Sequence, residues 1–129
     1  WANTVYAANM ELKDPGVFMF MAIAKEGVYA KESEHEILDT KAQIKKGEFS
    51  QKDIDKIKIN TKADFIFSLE SSTEVASLYG SYLVRNNINP LLNYEANVAK
   101  LTKEDLVKVA NKYLIKSNST TVILKPEEK

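Results

Sequence analysis

Residues 49–83 read FSQKDIDKIKINTKADFIFSLESSTEVASLYGSYL, and how this stretch folds decides the architecture. Ser50 and Asp53 stand at the spacing at which each side chain satisfies the other's free backbone amide. Phe49 and Ile54 are placed to pack together as a hydrophobic staple over that cap. Beyond it two periods compete. Ile57, Ile59, Thr61, Ala63, Phe65, Phe67 and Leu69 alternate as a strand would, whereas Ile54, Ile57, Thr61, Phe65 and Leu69 fall on one helical stripe. A strand this long exceeds the ~3–10 residues usual in globular sheets, and the cap announces a helix. The stretch therefore reads as a helix, with residues 63–69 expected to be buried nearly all round. After the Glu70-Ser71-Ser72-Thr73 break, Ser71 and Glu74 restart the helix, and Val75, Leu78, Tyr79, Tyr82 and Leu83 give one apolar face.

Upstream, residues 4–12 and 17–24 flank Lys13-Asp14-Pro15-Gly16, a turn in which Pro15 presets φ and Gly16 would accept a positive one. This is a β-hairpin. Its second arm, VFMFMAIA, is apolar without alternation, which predicts a strand covered on both faces, with Met19 and Met21 filling core gaps. A helix is predicted over residues 33–46, started by the Ser33/Glu36 pair, stopped by Gly47, and burying Ile37, Leu38, Ala42 and Ile44.

Downstream, Asn86-Asn87-Ile88-Asn89-Pro90 ends the second apolar helix, because Pro90 disfavours helical backbone at the residue before it. Residues 91–101 connect, with room for a short helix. Thr102 and Asp105 cap the last helix, Leu101 and Leu106 form another staple, and Leu106, Val109, Ala110, Tyr113 and Leu114 line its buried side. Thr120-Thr121-Val122-Ile123-Leu124 reads as a closing strand, followed by Lys125-Pro126 and a charged tail. The order strand, strand, three or four helices, strand predicts an α+β domain of two layers, an antiparallel sheet with helices on one face.

The 129 residues fit a single domain. Eighteen basic residues balance eighteen acidic ones, so no net field favours nucleic acid or an anionic surface as partner. Arg85 is the single arginine, which leaves little bidentate recognition of phosphate or carboxylate. Cysteine is absent. The longest apolar run, residues 17–24, is far short of the ~20 residues that span a bilayer. The chain opens at Trp1 with no basic leader, so we expect residues 1–129 to be a fragment, with its first strand pairing to preceding sequence.

No catalytic constellation is visible. His35 is the lone histidine, so the chain cannot build a zinc site that needs two imidazoles. Glu34, His35 and Glu36 are neighbours in sequence and point apart on a helix, which makes His35 a solvated first-turn residue. Ser71, Ser72 and Thr73 have no base near them in the pattern and read as capping residues. The four glycines are isolated and form no phosphate-cradling loop. Tyr79 and Tyr82 around Gly80 either pack in the core or mark close approach of another backbone, and core packing is the simpler reading.

Taken together, Asp14-Pro15-Gly16-Val17-Phe18, Gly47-Glu48-Phe49-Ser50-Gln51-Lys52-Asp53, Ser68-Leu69-Glu70-Ser71 and Leu101-Thr102-Lys103-Glu104-Asp105-Leu106, running through Ala110 to Tyr113-Leu114, resemble the C-terminal half of a domain in the pitrilysin/insulinase family of zinc metallopeptidases. That family includes the mitochondrial processing peptidases, and the resemblance covers nearly all of the chain. It implies an enzyme in which two homologous domains close around a peptide. It also implies that zinc and the catalytic glutamate belong to the His-x-x-Glu-His motif of an N-terminal domain, so that this chain binds no cofactor of its own. A substrate-gripping tyrosine of the family would fall at Asn3, where this sequence departs from the pattern, with Tyr6 nearby on the same strand; its companion arginine would precede Trp1. The implied partners are the preceding domain of the same polypeptide and a peptide substrate, with homodimer or heterodimer left open. A catalytically inactive scaffold subunit of the same family is the alternative. The lysine and asparagine bias resembles an AT-rich bacterial genome, which is composition and not an address, so the compartment, periplasm or cytoplasm, is left open.

Overall fold

A computed structural model describes residues 2–85 and 87–124. Strands β1 (Ala2–Met10) and β2 (Val17–Ala24) form an antiparallel hairpin. Among the described residues six helices follow: α1 (Ala30–Lys46), α2 (Gln51–Phe67), α3 (Ser72–Val84), α4 (Asn89–Leu92), α5 (Tyr94–Lys100) and α6 (Lys103–Tyr113). A single 3-10 turn, Lys116–Asn118, comes after them. Helix α1 packs on β2, α6 on α1, and α5 on α2, which gives the two-layer α+β arrangement expected from the sequence.

The hairpin differs from its prediction in two ways. Strand β1 lies two residues earlier than expected at both ends. Gly16 is required for space and not for the sign of φ, since the described glycines with positive φ are Gly27 and Gly47. A Cβ at Gly16 would run into the Met10 carbonyl and come within 3.3 Å of the Leu12 nitrogen. Strand β2 is covered on one face only. Phe20, Ala22 and Ala24 are half-buried toward α1, with the Lys41 ammonium 5.7 Å from the Phe20 ring centre, while Val17, Met19, Met21 and Ile23 are exposed. Helix α1 covers the side that carries Phe20, Ala22 and Ala24, so the two methionines on the other side fill no core here.

Helix α1 begins a turn earlier than predicted. Its cap is Tyr29, with no side-chain hydrogen bond, and Ser33 lies inside the helix, buried, with an Oγ that has no hydrogen-bond partner among the described residues. The stripe facing inward is Ala30, Ser33, Ile37, Lys41 and Ile44, whereas Leu38 and Ala42 are exposed. Gly47 ends the helix as expected, at φ 74°. Its N–H donates to the Ile44 carbonyl and that of Glu48 to Gln43, the paired closure that a left-handed C-terminal residue permits.

Both reciprocal caps at Ser50 and Thr102 form. The Ser50 Oγ accepts from the Asp53 N–H at 3.2 Å while an Asp53 carboxylate oxygen accepts from the Ser50 N–H at 2.9 Å. Thr102 and Asp105 repeat this at 3.2 and 3.0 Å. Hydrogen bonding to the Ser50 side chain first, then to its backbone, holds Asp53 below its ordinary 3.8; for Asp105 the Thr102 backbone comes first. Ser71 accepts from the Glu74 N–H at 3.4 Å without the return bond. Helix α2 runs unbroken to Phe67, so the stretch is helix and not strand, but of the predicted stripe only Ile54, Thr61 and Phe65 turn inward while Ile57 is exposed. Residues 63–69 are not buried all round: Ile66, Phe67 and Leu69 are exposed. On α3, Val75, Leu78 and Tyr82 are half-buried and Tyr79 and Leu83 face out.

The connector after Pro90 holds two short helices. Pro90 sits in the first turn of α4, where its missing N–H leaves no bond unmade. Apolar residues with almost no exposure are Ile54, Leu91 and Ala110. Helix α6 is tied to the α1–α2 junction by polar bonds as well. The Asn111 amide donates to the Lys45 carbonyl at 2.9 Å, the Lys103 ammonium donates to the Phe49 carbonyl at 2.8 Å, and Val107 lies against Gly47.

The predicted closing strand does not form. Residues 120–124 carry no ladder bonds, and Val122 and Leu124 are largely exposed. A strand needs a neighbour to take its N–H and C=O groups, and the described sheet consists of β1 and β2 alone, without a ladder to residues 120–124. The Lys125-Pro126 stop and the charged tail lie outside the described residues, as do Trp1 and Asn86.

Candidate substrate-facing surface

The outward side of the hairpin is built from alternate residues of both strands. Tyr6 pairs with Met21, Ala8 with Met19, Met10 with Val17 and Thr4 with Ile23, so one face collects Tyr6, Met10, Val17, Met19, Met21 and Ile23, all exposed. Apolar side chains gathered on one exposed face make a surface on which another molecule or segment can pack. Strand order makes the face, since period-two alternation sends these side chains away from α1.

Asn3 lies at the irregular end of this ladder. Ala2 pairs with Ala24 and Thr4 with Ile23, so Asn3 is the extra residue of a bulge. Bulges break pairing locally and re-aim side chains. Asn3 and Tyr6 are thus on the same strand, both exposed, Tyr6 on the apolar face and Asn3 at the bulge that terminates it.

The opposite end of β1 leads into a cleft of about 480 Å³ between the hairpin and helices α2 to α5. Phe65 and Tyr94 stack in it with ring centres 4.7 Å apart, and Leu91 is buried beneath. Glu11 is ion-paired with Arg85, whose guanidinium lies 4.3 Å over the Tyr82 ring while its Nε donates to the Ser81 carbonyl at 2.9 Å. Burial first, then the neighbouring Tyr82, Glu11 and Asp64, pushes the Tyr94 phenol above its ordinary value. Sequence reasoning missed this cleft. Its signal was the pairing of the single arginine with a carboxylate 74 positions away, which no local pattern reveals.

Other predicted positions are structural. His35 is an exposed residue of the second turn of α1, its Nε2 3.3 Å from Asp39. No group of three potential metal ligands occurs among the described residues, so those residues do not fit a zinc ion. Ser71 caps α3. Gly80 has open space where a side chain would be, so no backbone approaches it, and Tyr82 packs under Arg85 while Tyr79 is exposed. No described helix is long and apolar enough to cross a membrane.

The resemblance read from the sequence, to the C-terminal half of a domain of the pitrilysin/insulinase type, is borne out by the zinc proteases that this chain is similar to. The chain is 46% identical over 125 residues to the zinc protease PqqE of Helicobacter pylori, matching 97% of this chain. It spans only 28% of that relative's length. Its fold superposes on the crystal structure of a protease from Helicobacter pylori with a TM-score of 0.89 and 45% identity, over 97% of this chain and 30% of the other. An inactive peptidase domain from Bordetella parapertussis shares the fold at a TM-score of 0.78 and 19% identity, over 98% of this chain and 70% of that domain. No protein-family profile matches the chain.

Proposed function

We propose that this chain is the C-terminal, non-catalytic portion of a zinc-dependent metalloendopeptidase and forms one wall of a peptide-enclosing chamber. The observation that carries the reading is the 46% identity, over nearly the whole chain, to one segment of a zinc protease. The open face of the hairpin is the wall. Tyr6 supplies a flat apolar surface with a polar tip, Met19 and Met21 adapt to varied side chains, and Asn3 at the bulge offers a donor and an acceptor to an extended peptide backbone. Zinc, held by the preceding domain of the parent, supplies the Lewis acid for peptide hydrolysis. The residues of this chain bind, orient and exclude water.

The test has two parts. The purified chain should hold well under one equivalent of zinc and cleave no peptide; stoichiometric zinc or cleavage by the chain alone overturns the reading. In the full-length parent, Tyr6→Ala should lower kcat/KM for a peptide about tenfold, a loss of ~1.4 kcal/mol in transition-state binding, with zinc content unchanged. An unchanged kcat/KM removes Tyr6 from the wall.

A second reading, a scaffold subunit without catalysis, is favoured by the inactive Bordetella parapertussis domain of the same fold. Reading the parent gene decides between them. An intact upstream His-x-x-Glu-His supports the peptidase, and a degenerate one with no catalytic partner supports the scaffold.

A further inference from the structure

The cleft between the hairpin end and the helices has a chemistry that the proposed wall leaves unused. Its apolar surface comes from Leu78 and Leu91 and from the rings of Phe65, Tyr82 and Tyr94, and the charged side chains that line it are two carboxylates, Glu11 and Asp64. The molecule demonstrates on itself what this lining attracts. The Arg85 guanidinium sits between the Glu11 carboxylate and the face of Tyr82, the arrangement in which a ring quadrupole and an anion hold one cation together. Asp64, an exposed residue at the rim of the cleft, has no such partner: no ion pair of the described residues involves it. The lysines nearest to it on α2 are engaged elsewhere, Lys58 donating to the Ala99 carbonyl at 2.8 Å and Lys62 paired with Glu95.

We propose that this cleft binds an organic cation carried on an apolar stem, and that the cation is the lysine side chain of a peptide. The ammonium lies against Asp64 and the stem lies along Phe65 and Leu78. With Glu11 already neutralised by Arg85, the remaining Asp64 carboxylate repels an anionic ligand. A neutral aliphatic chain gains the apolar contact but leaves Asp64 without a counter-charge. The volume falls in the ~300–1,000 Å³ range of small-ligand sites. The choice of a peptide as the source rests on the function proposed above, whereas the preference for a cation rests on the cleft alone.

The experiment titrates the 129-residue chain with N-acetyl-lysine methylamide, its norleucine counterpart and spermidine, following the aromatic ring resonances of Phe65, Tyr82 and Tyr94 by NMR. The lysine probe is expected to shift these resonances saturably and to bind about tenfold more tightly than the norleucine probe, the scale of one partly solvated charge contact with a ring beside it. Asp64→Asn, with its folding checked by circular dichroism, should reduce that preference to within about twofold. Equal binding of the lysine and norleucine probes to the unaltered chain overturns the proposal, as does absence of ring shifts or a preference that survives Asp64→Asn. Tighter binding of spermidine than of the lysine probe overturns the assignment to a peptide. None of these outcomes touches the zinc and cleavage measurements, so failure here is distinct from failure of the chamber-wall reading.

Discussion

Replacing Ser33 with alanine should make the protein more stable, and the sign of that change separates two accounts of how α1 begins. As the first-turn cap suggested by the Ser33/Glu36 spacing, the serine would be worth ~1 kcal/mol, and its loss would destabilise by that amount. In the structure the helix already starts at Ala30, and Ser33 is 4% exposed with an unpartnered Oγ. Burying a hydroxyl without a hydrogen bond costs ~1–3 kcal/mol, and alanine exceeds serine in helix propensity by roughly 0.5 kcal/mol. Some of the desolvation penalty returns as a small void, so a net gain of about 1–2 kcal/mol is expected, near 4–8 °C in Tm for a chain of this size. Urea denaturation followed by far-ultraviolet circular dichroism reads the difference, with an unchanged m-value as the check on two-state unfolding. Ser50→Ala, which removes a true cap, serves as the control and should cost ~1 kcal/mol. Should Ser33→Ala lower the midpoint as much as Ser50→Ala does, the placement of the α1 start is wrong.

Two further tests address α2 and the caps. Ile54→Ala, at a position 3% exposed, removes three buried carbons at ~0.8 kcal/mol each and leaves a cavity, a loss of about 3 kcal/mol. Ile59→Ala, 69% exposed on the same helix, should change stability by less than ~0.5 kcal/mol; a cost at Ile59 as large as that at Ile54 would refute this placement of α2. On acid titration, Asp53 and Asp105, both lowered from 3.8 in the fold, contribute stability that is present above 3.8 and lost as pH falls through their folded values. Carboxyl NMR should find both titrating below 3.8, and Ser50→Ala should raise Asp53 toward that value while leaving Asp105 in place.

What the sequence revealed was what is decided locally. The Ser50/Asp53 and Thr102/Asp105 pairs and the Gly47 stop each depend on bonds between residues at most five apart, and all three formed as read. The helix over α2 was also legible, because a cap outweighs an ambiguous period. Burial was not. Met19, Met21, Phe67 and Leu69 look like core residues from their chemistry, yet a side chain is covered only when another element arrives, and these faces have none among the described residues. The closing strand failed for the same reason, a ladder being a property of two segments. Ser33 misled because Ser-x-x-Glu is a necessary pattern for a capping box and not a sufficient one; Tyr29 begins the helix through backbone geometry alone. The Glu11–Arg85 pair joins the hairpin to α3 across most of the chain, a distance that spacing rules cannot bridge.

The polar clasp that joins Lys45 to Asn111 and Phe49 to Lys103 means that everything from α2 to α5 departs from and returns to one spot. Such an excursion has the connectivity of an inserted cassette. The two ends that such a cassette would join, Gly47 and Lys103, already lie side by side.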